Sequence, residues 1–115
     1  MSAIEILQKY LNLASQRQNL VVDNMANVDT PGFRTVDFNF RTELRRAMND
    51  EGEVAMTPAA QHVPGLLARP DGNNVNLDRE GMALAETQMQ VQIGVQLIRS
   101  EFHRLLEAIG TGQSE

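Results

Sequence analysis

Apolar residues recur through the first quarter of the chain at unbroken 3-4-3-4 spacing. Ile4, Leu7, Leu11, Ala14, Gln18, Val21, Met25 and Val28 make one row, with Gln18 its single polar member. Between them lie mostly polar residues, among them Glu5, Gln8, Lys9, Asn12, Gln16, Arg17, Asn19 and Asp23. The pattern predicts an amphipathic helix of coiled-coil character, whose apolar row needs a partner surface. The C-terminal third repeats the device. Leu77, Gly81, Leu84, Gln88, Val91, Val95, Ile98, Phe102, Leu105 and Ile109 run at 4-3-4-3 spacing. A parallel row of Met82, Met89, Ile93 and Leu97 widens the stripe, as on a helix that meets more than one neighbour.

Both helices carry boundary signals. Thr30-Pro31-Gly32 stops the first: Pro31 disfavours helical geometry at Thr30, and Pro-Gly fits the middle of a type II turn from Thr30 to Phe33. The second starts after an Asp71-Gly72-Asn73 turn, with Asn76 as N-cap and Asp78 and Glu80 in the dipole-favoured first turn. It ends at Gly110, before a frayed tail. Between the helices, Val36, Phe38 and Phe40 alternate as in a short strand, and the run from Phe40 to Asn49 suits two or three helical turns. From residue 50 to 74, Pro58, Pro64, Pro70 and several glycines read as a loop, or as a segment ordered only against a partner. The expected fold is therefore all-α. Long N- and C-terminal helices pair as an antiparallel coiled-coil-like bundle around a largely irregular central segment. One domain is expected, divided as 1–29 (first helix), 30–75 (turn and central segment), 76–110 (second helix) and 111–115 (tail).

Composition narrows the function more than the fold. The 115 residues are 42% hydrophobic but only 4% aromatic, which suits helical seams better than a deep pocket. A net charge of −5 gives no general attraction to nucleic acid or anionic lipid. Without cysteine there is no disulfide or thiolate metal site. The start "MSAIEILQKY" lacks the basic and apolar regions of a cleaved signal peptide, and no apolar run is long enough to span a membrane. His62 and His103 lie far apart in sequence, with no Gly-x-Ser-x-Gly elbow or phosphate loop near them. The stretch from Asp71 to Asn76 superficially resembles a calcium loop, but Val75 stands where an oxygen ligand is needed and Met82 where the closing Glu should be. No catalytic, metal or cofactor site is expected. What remains is association through the seams.

The stretch "NMANVDTPGFR" identifies the kind of association. Asn24, Ala26, Asn27, Thr30, Pro31, Gly32 and Phe33 match the Ala-Asn-x-x-Thr-Pro-Gly-aromatic signature of bacterial flagellar axial proteins, the rod and hook subunits. The run "DGNNVNLDREGMALAETQMQVQ" and the short chain are similar to the proximal rod members of that family. The resemblance implies a non-catalytic subunit of the basal-body rod. Such subunits are exported by the flagellar type III export apparatus without cleavage and stack helically in the periplasm. Implied partners are other rod subunits, like and unlike, and the adaptor protein and ring at the rod base. The seam residues Ile4, Leu7, Leu11, Val21, Met25, Val28, Leu84, Val91, Val95, Ile98, Phe102, Leu105 and Ile109 would form the assembly contacts. The alternative reading is a cytosolic coiled-coil adaptor or secretion chaperone, which uses similar seams but gives no reason for the Thr-Pro-Gly signature.

Overall fold

A computed structural model describes residues 2–49 and 57–110. Met1, the tail from residue 111 and residues 50–56 of the central segment, with their acidic run, lie outside the described residues. Three helices dominate: α1 (Ala3–Ala26), α2 (Phe40–Asn49) and α3 (Leu77–Gly110). Two short strands, β1 (Val36–Asp37) and β2 (Gln61–His62), pair antiparallel with Val36 opposite His62. The molecule is a rod, 71 × 25 × 17 Å.

α1 begins at the N-cap Ser2: the Glu5 N–H donates to Ser2 Oγ at 3.1 Å, and Ser2 Oγ donates in turn to the Glu5 carboxylate. It stops at Ala26, so Val28 is not a helical seam position but part of the following turn. There the Asn27 N–H and side chain both donate to Asp23 O, at 3.1 and 2.8 Å, and the Val28 N–H turns to Met25 O at 3.2 Å, the tighter pattern of a closing helix end. α3 opens at Asn76, whose Oδ1 accepts the Arg79 N–H at 3.1 Å.

The two long helices run antiparallel, with Asn24 beside Glu80, Arg17 beside Glu86 and Leu11 against Gly94. The line of closest contact on α3 is Glu80, Ala83, Thr87 and Gly94, one position away from the row of large apolar residues. That is a correction to the expected seam. Small side chains let the helix axes approach, and a Cβ built on Gly94 would lie 2.6 Å from Leu11 Cδ2. Leu84, Val91, Val95 and Ile98 flank this line half-buried, while Phe102, Leu105 and Ile109 stay exposed. The lengths explain the last three. At about 1.5 Å per residue, α3 with 34 residues outruns α1 with 24 by about 15 Å.

α1 also buries a second face, which the row of large apolar residues does not reveal. Leu13 is 3% exposed and packs with Phe38 and Ala47, and Leu20, Phe40 and Leu44 close around them. Tyr10 meets Phe40 edge-on at 5.4 Å. α2 is thus a strap over α1, starting at an Asn39 cap that accepts the Thr42 N–H and ending where Lys9 Nζ donates to Ala47 O at 2.7 Å. A buried ammonium on a C-terminal carbonyl is favoured by the helix dipole. The expected strand through Phe40 shortens to two paired residues, because Phe40 already belongs to α2.

Candidate functional site

The two sequence stretches singled out above meet in space. The turn after α1 closes with the Phe33 N–H donating to Thr30 O at 3.2 Å and with Gly32 at φ +77°, the left-handed residue that a type II turn requires. Thr30 Oγ1 donates to Asn27 Oδ1 at 2.9 Å, so the threonine braces the turn from its exposed side. Ala26, Pro31 and Gly32 are exposed, and Phe33 is half-buried.

Onto this turn the segment before α3 is latched by two buried asparagines. Asn73 Nδ2 donates to Asn27 O at 2.9 Å and to Thr30 O at 2.8 Å, while its Oδ1 accepts the Val75 N–H. Asn74 Oδ1 accepts the Thr35 N–H at 2.7 Å, its N–H donates to Phe33 O, and its own carbonyl accepts from Thr35 Oγ1. Arg69 donates to Val28 O. At the centre Gly72, at φ +87°, comes so close that a Cβ there would lie 3.4 Å from Gly32 Cα. Residues 71 to 74 are therefore tied into the fold of the single chain, and the expectation of a segment ordered only against a partner is corrected for them. Among the described residues no group of three or more His, Asp or Glu side chains is placed to hold a metal ion.

Below the latch lies a buried polar cluster. Asn24, 1% exposed, acts as a strand partner for β1: its Nδ2 donates to Val36 O and its Oδ1 accepts the Val36 N–H. The same Nδ2 donates to Glu80 Oε1 at 2.9 Å. Arg79 binds Glu80 Oε2 at 2.6 Å and Asp37 Oδ2 at 2.8 Å, and Arg17 binds Asp37 from α1 at 3.1 Å and Glu86 at 2.6 Å. Burial raises the Asp37 carboxyl, but hydrogen bonds from Arg17 and Arg79 outweigh it and hold the group below its ordinary value. Burial likewise opposes the charge of both arginines, and their carboxylate partners overcome it, leaving Arg17 and Arg79 raised. A groove of about 570 Å³ borders this cluster, yet its acidic side chains are already engaged: Asp37 with the two arginines, Glu43 with Arg46. That is an arrangement for holding elements together.

Beside the α1 contact, α3 carries an uncovered apolar row: Met82 is 77% exposed and Met89 61%, and Ile93 and Leu97 continue it. Past the end of α1 the seam residues Phe102, Leu105 and Ile109 are exposed as well, with Leu106. With Leu77, nine large apolar side chains of α3 are exposed, which is more than scattered surface hydrophobicity and marks an interaction surface. On α1, Ile4, Leu7, Leu11 and Met25 are half-buried and Val21 is fully buried. Sequence reasoning missed Asn24, Asp37, Asn73, Asn74 and Gly94 in these roles. Gly94 left a signal as a glycine inside a helical rhythm, and Asn24 only as a neighbour of the Thr-Pro-Gly signature.

Comparison with known proteins agrees with these two features. The family profile of flagella basal body rod proteins matches residues 4–34, which span α1 and the turn. The flagellar basal body rod protein FlgB of Salmonella typhimurium is 31% identical over 96% of this chain and 95% of its own length. The protein of the same name from Escherichia coli is 29% identical over the same shares, and that of Buchnera aphidicola is 31% identical over 86% of this chain and 87% of its own. The likeness thus runs through the latch and along α3, and the chain belongs to the flagellar basal body rod protein family.

Proposed function

We propose that the chain is a structural subunit of the flagellar basal-body rod, at its proximal end. It stacks helically through α1 and α3 and transmits torque across the periplasm. The observation that carries this reading is the join of a near-full-length likeness to rod proteins with an uncovered apolar face on α3. A subunit that stacks must keep such a face open until a neighbour covers it.

Other rod subunits, like and unlike, are the partners for that face, and the adaptor protein and ring at the rod base meet the assembled end. Delivery is by the flagellar type III export apparatus without a cleaved signal peptide. Among the described residues no helix is long and apolar enough to cross a membrane. The role is structural and asks for no catalysis.

Deleting the gene in a motile host tests the proposal. The expected result is loss of motility and of complete basal bodies, restored by the wild-type gene in trans. Intact basal bodies after deletion would overturn it, and a stable discrete dimer of the purified chain would then favour a coiled-coil adaptor.

A further inference from the structure

We propose that the carboxylate of Glu80, through its buried bond to Asn24, selects one register of α1 against α3. Paired heptad rows do not choose their own register, because sliding one helix by seven residues returns apolar positions to apolar positions. Here the contact line on α3 recurs at that interval, with Thr87 and Gly94 seven residues apart. Leu11 packs on Gly94, and the same face of α3 offers Thr87 one heptad away in one direction and half-buried Glu101 in the other.

The Asn24–Glu80 bond breaks this degeneracy. Both residues are essentially buried, at 1% and 0% exposure, and they meet at 2.9 Å. A slide of one heptad moves them about 10 Å apart. Asn24 cannot follow α3, because Val36 holds its amide on both sides. Either slide takes the Glu80 carboxylate from the amide that holds it, to the level of Arg17, already engaged by Asp37 and Glu86, or past the end of α1, and giving up a buried partner is costly. The Asn73 and Asn74 latch holds the segment before α3 and has to release in any slide, but it lies outside the paired helices. The ion pairs of α3 with α1 and β1 are weaker selectors. Glu86, the partner of Arg17, is 58% exposed, and Arg79 has a long, partly exposed side chain that can adapt. Register matters to the rod subunit because it fixes how far α3 projects past α1, and so which apolar residues reach a neighbour. Buried polar groups with this selecting role are known in coiled coils.

The test uses the absence of native cysteine. Three double variants of the full chain are oxidised at low concentration and their intramolecular disulfides counted: Leu11→Cys with Gly94→Cys for the native register, and Leu11→Cys with Thr87→Cys or with Glu101→Cys for the two slides. A Cβ on Gly94 stands 2.8 Å from Leu11 Cγ, within disulfide reach, and removing Leu11 also removes the Leu11–Gly94 packing as a competing selector. The native pair should close at least about tenfold more than either shifted pair. Adding Glu80→Leu should leave helicity intact and bring a shifted pair to within about twofold of the native one, while Glu80→Gln, which keeps the acceptor for Asn24, should restore the preference. Closure confined to the native pair in Glu80→Leu overturns the proposal. So does equal closure of all pairs with Glu80 present, failure of Glu80→Gln to restore the preference, or loss of helicity in Glu80→Leu, which would make the carboxylate a requirement for folding instead of a selector.

Discussion

Two glycines of α3 show how differently one residue type is used along the same helix. Nothing lies within 4 Å of a Cβ built on Gly81, whereas one on Gly94 meets Leu11 at 2.6 Å and Tyr10 at 3.2 Å. Gly81→Ala should therefore raise stability by about 1 kcal/mol through helix propensity alone. Gly94→Ala gains the same propensity but overpacks the helix crossing, which costs about 1–3 kcal/mol, so its net effect should be destabilising. Thermal unfolding followed by circular dichroism checks the opposite signs, and a stabilising Gly94→Ala would mean the helices do not approach as described. At this scale the sequence was legible wherever chemistry is local. The Thr-Pro-Gly turn and the Asn76 cap depend on neighbours a few residues away. Asn73 and Asn74 depend on partners 46 and 39 residues distant, and nothing in an Asn-Asn dipeptide says that it will be buried.

Among the elements, α3 has two lengths, the stretch that faces α1 and the stretch that runs past it. Val95 belongs to the first and is half-buried; Leu105 belongs to the second and is 46% exposed. An aspartate at Val95 should weaken the α1–α3 pairing itself, by about 1–3 kcal/mol, because it places a carboxylate in an apolar contact. Leu105→Asp should leave the isolated chain's helicity unchanged and still prevent incorporation into rods. Fractionating basal bodies from cells that express each variant separates the two cases, and normal incorporation of Leu105→Asp would remove the overhang from the assembly surface. Periodicity in the sequence located both helices but placed the contact line on α3 one position off. Large side chains announce the outward stripe, while Ala83, Thr87 and Gly94, which touch α1, are silent because closeness, not bulk, is what they supply. The strap α2 was legible as a few helical turns, and its docking on Leu13 and Leu20 was not, since those residues sit outside the main row.

For the molecule as a whole, the polar cluster couples α1, β1 and α3, and its acid response follows from Asp37. A carboxyl held below its ordinary value contributes stability above the unfolded-state value near 3.8, and that contribution is lost as pH falls through the lower folded-state value. The fold should accordingly be insensitive to pH from neutrality down to about 4 as far as Asp37 is concerned, and loosen below it. Asp37→Asn should remove the charge-dependent part of this loss, measurable as a smaller difference in melting temperature between neutral and strongly acid solution. An unchanged difference would place the acid response elsewhere. The overall architecture was readable because two long amphipathic helices at the ends of a short chain have few other ways to cover their faces. The cluster was not readable, because Arg17, Asp37, Arg79 and Glu80 look individually like surface charges.

Lys9 is the one lysine in the chain, and it is 2% exposed with its amine fixed on the Ala47 carbonyl at the end of α2. Acylating reagents therefore meet no side-chain amine on the folded surface, and reaction at Lys9 has to wait for the strap to lift. The acylation rate at this residue, read by mass spectrometry, becomes a clock for local opening, and it should run far slower in buffer than in denaturant. Equal rates in the two would show that the strap does not stay down. Covering of the surface by neighbouring subunits should slow the clock further, so one reactive atom reports both the folding of the chain and its incorporation.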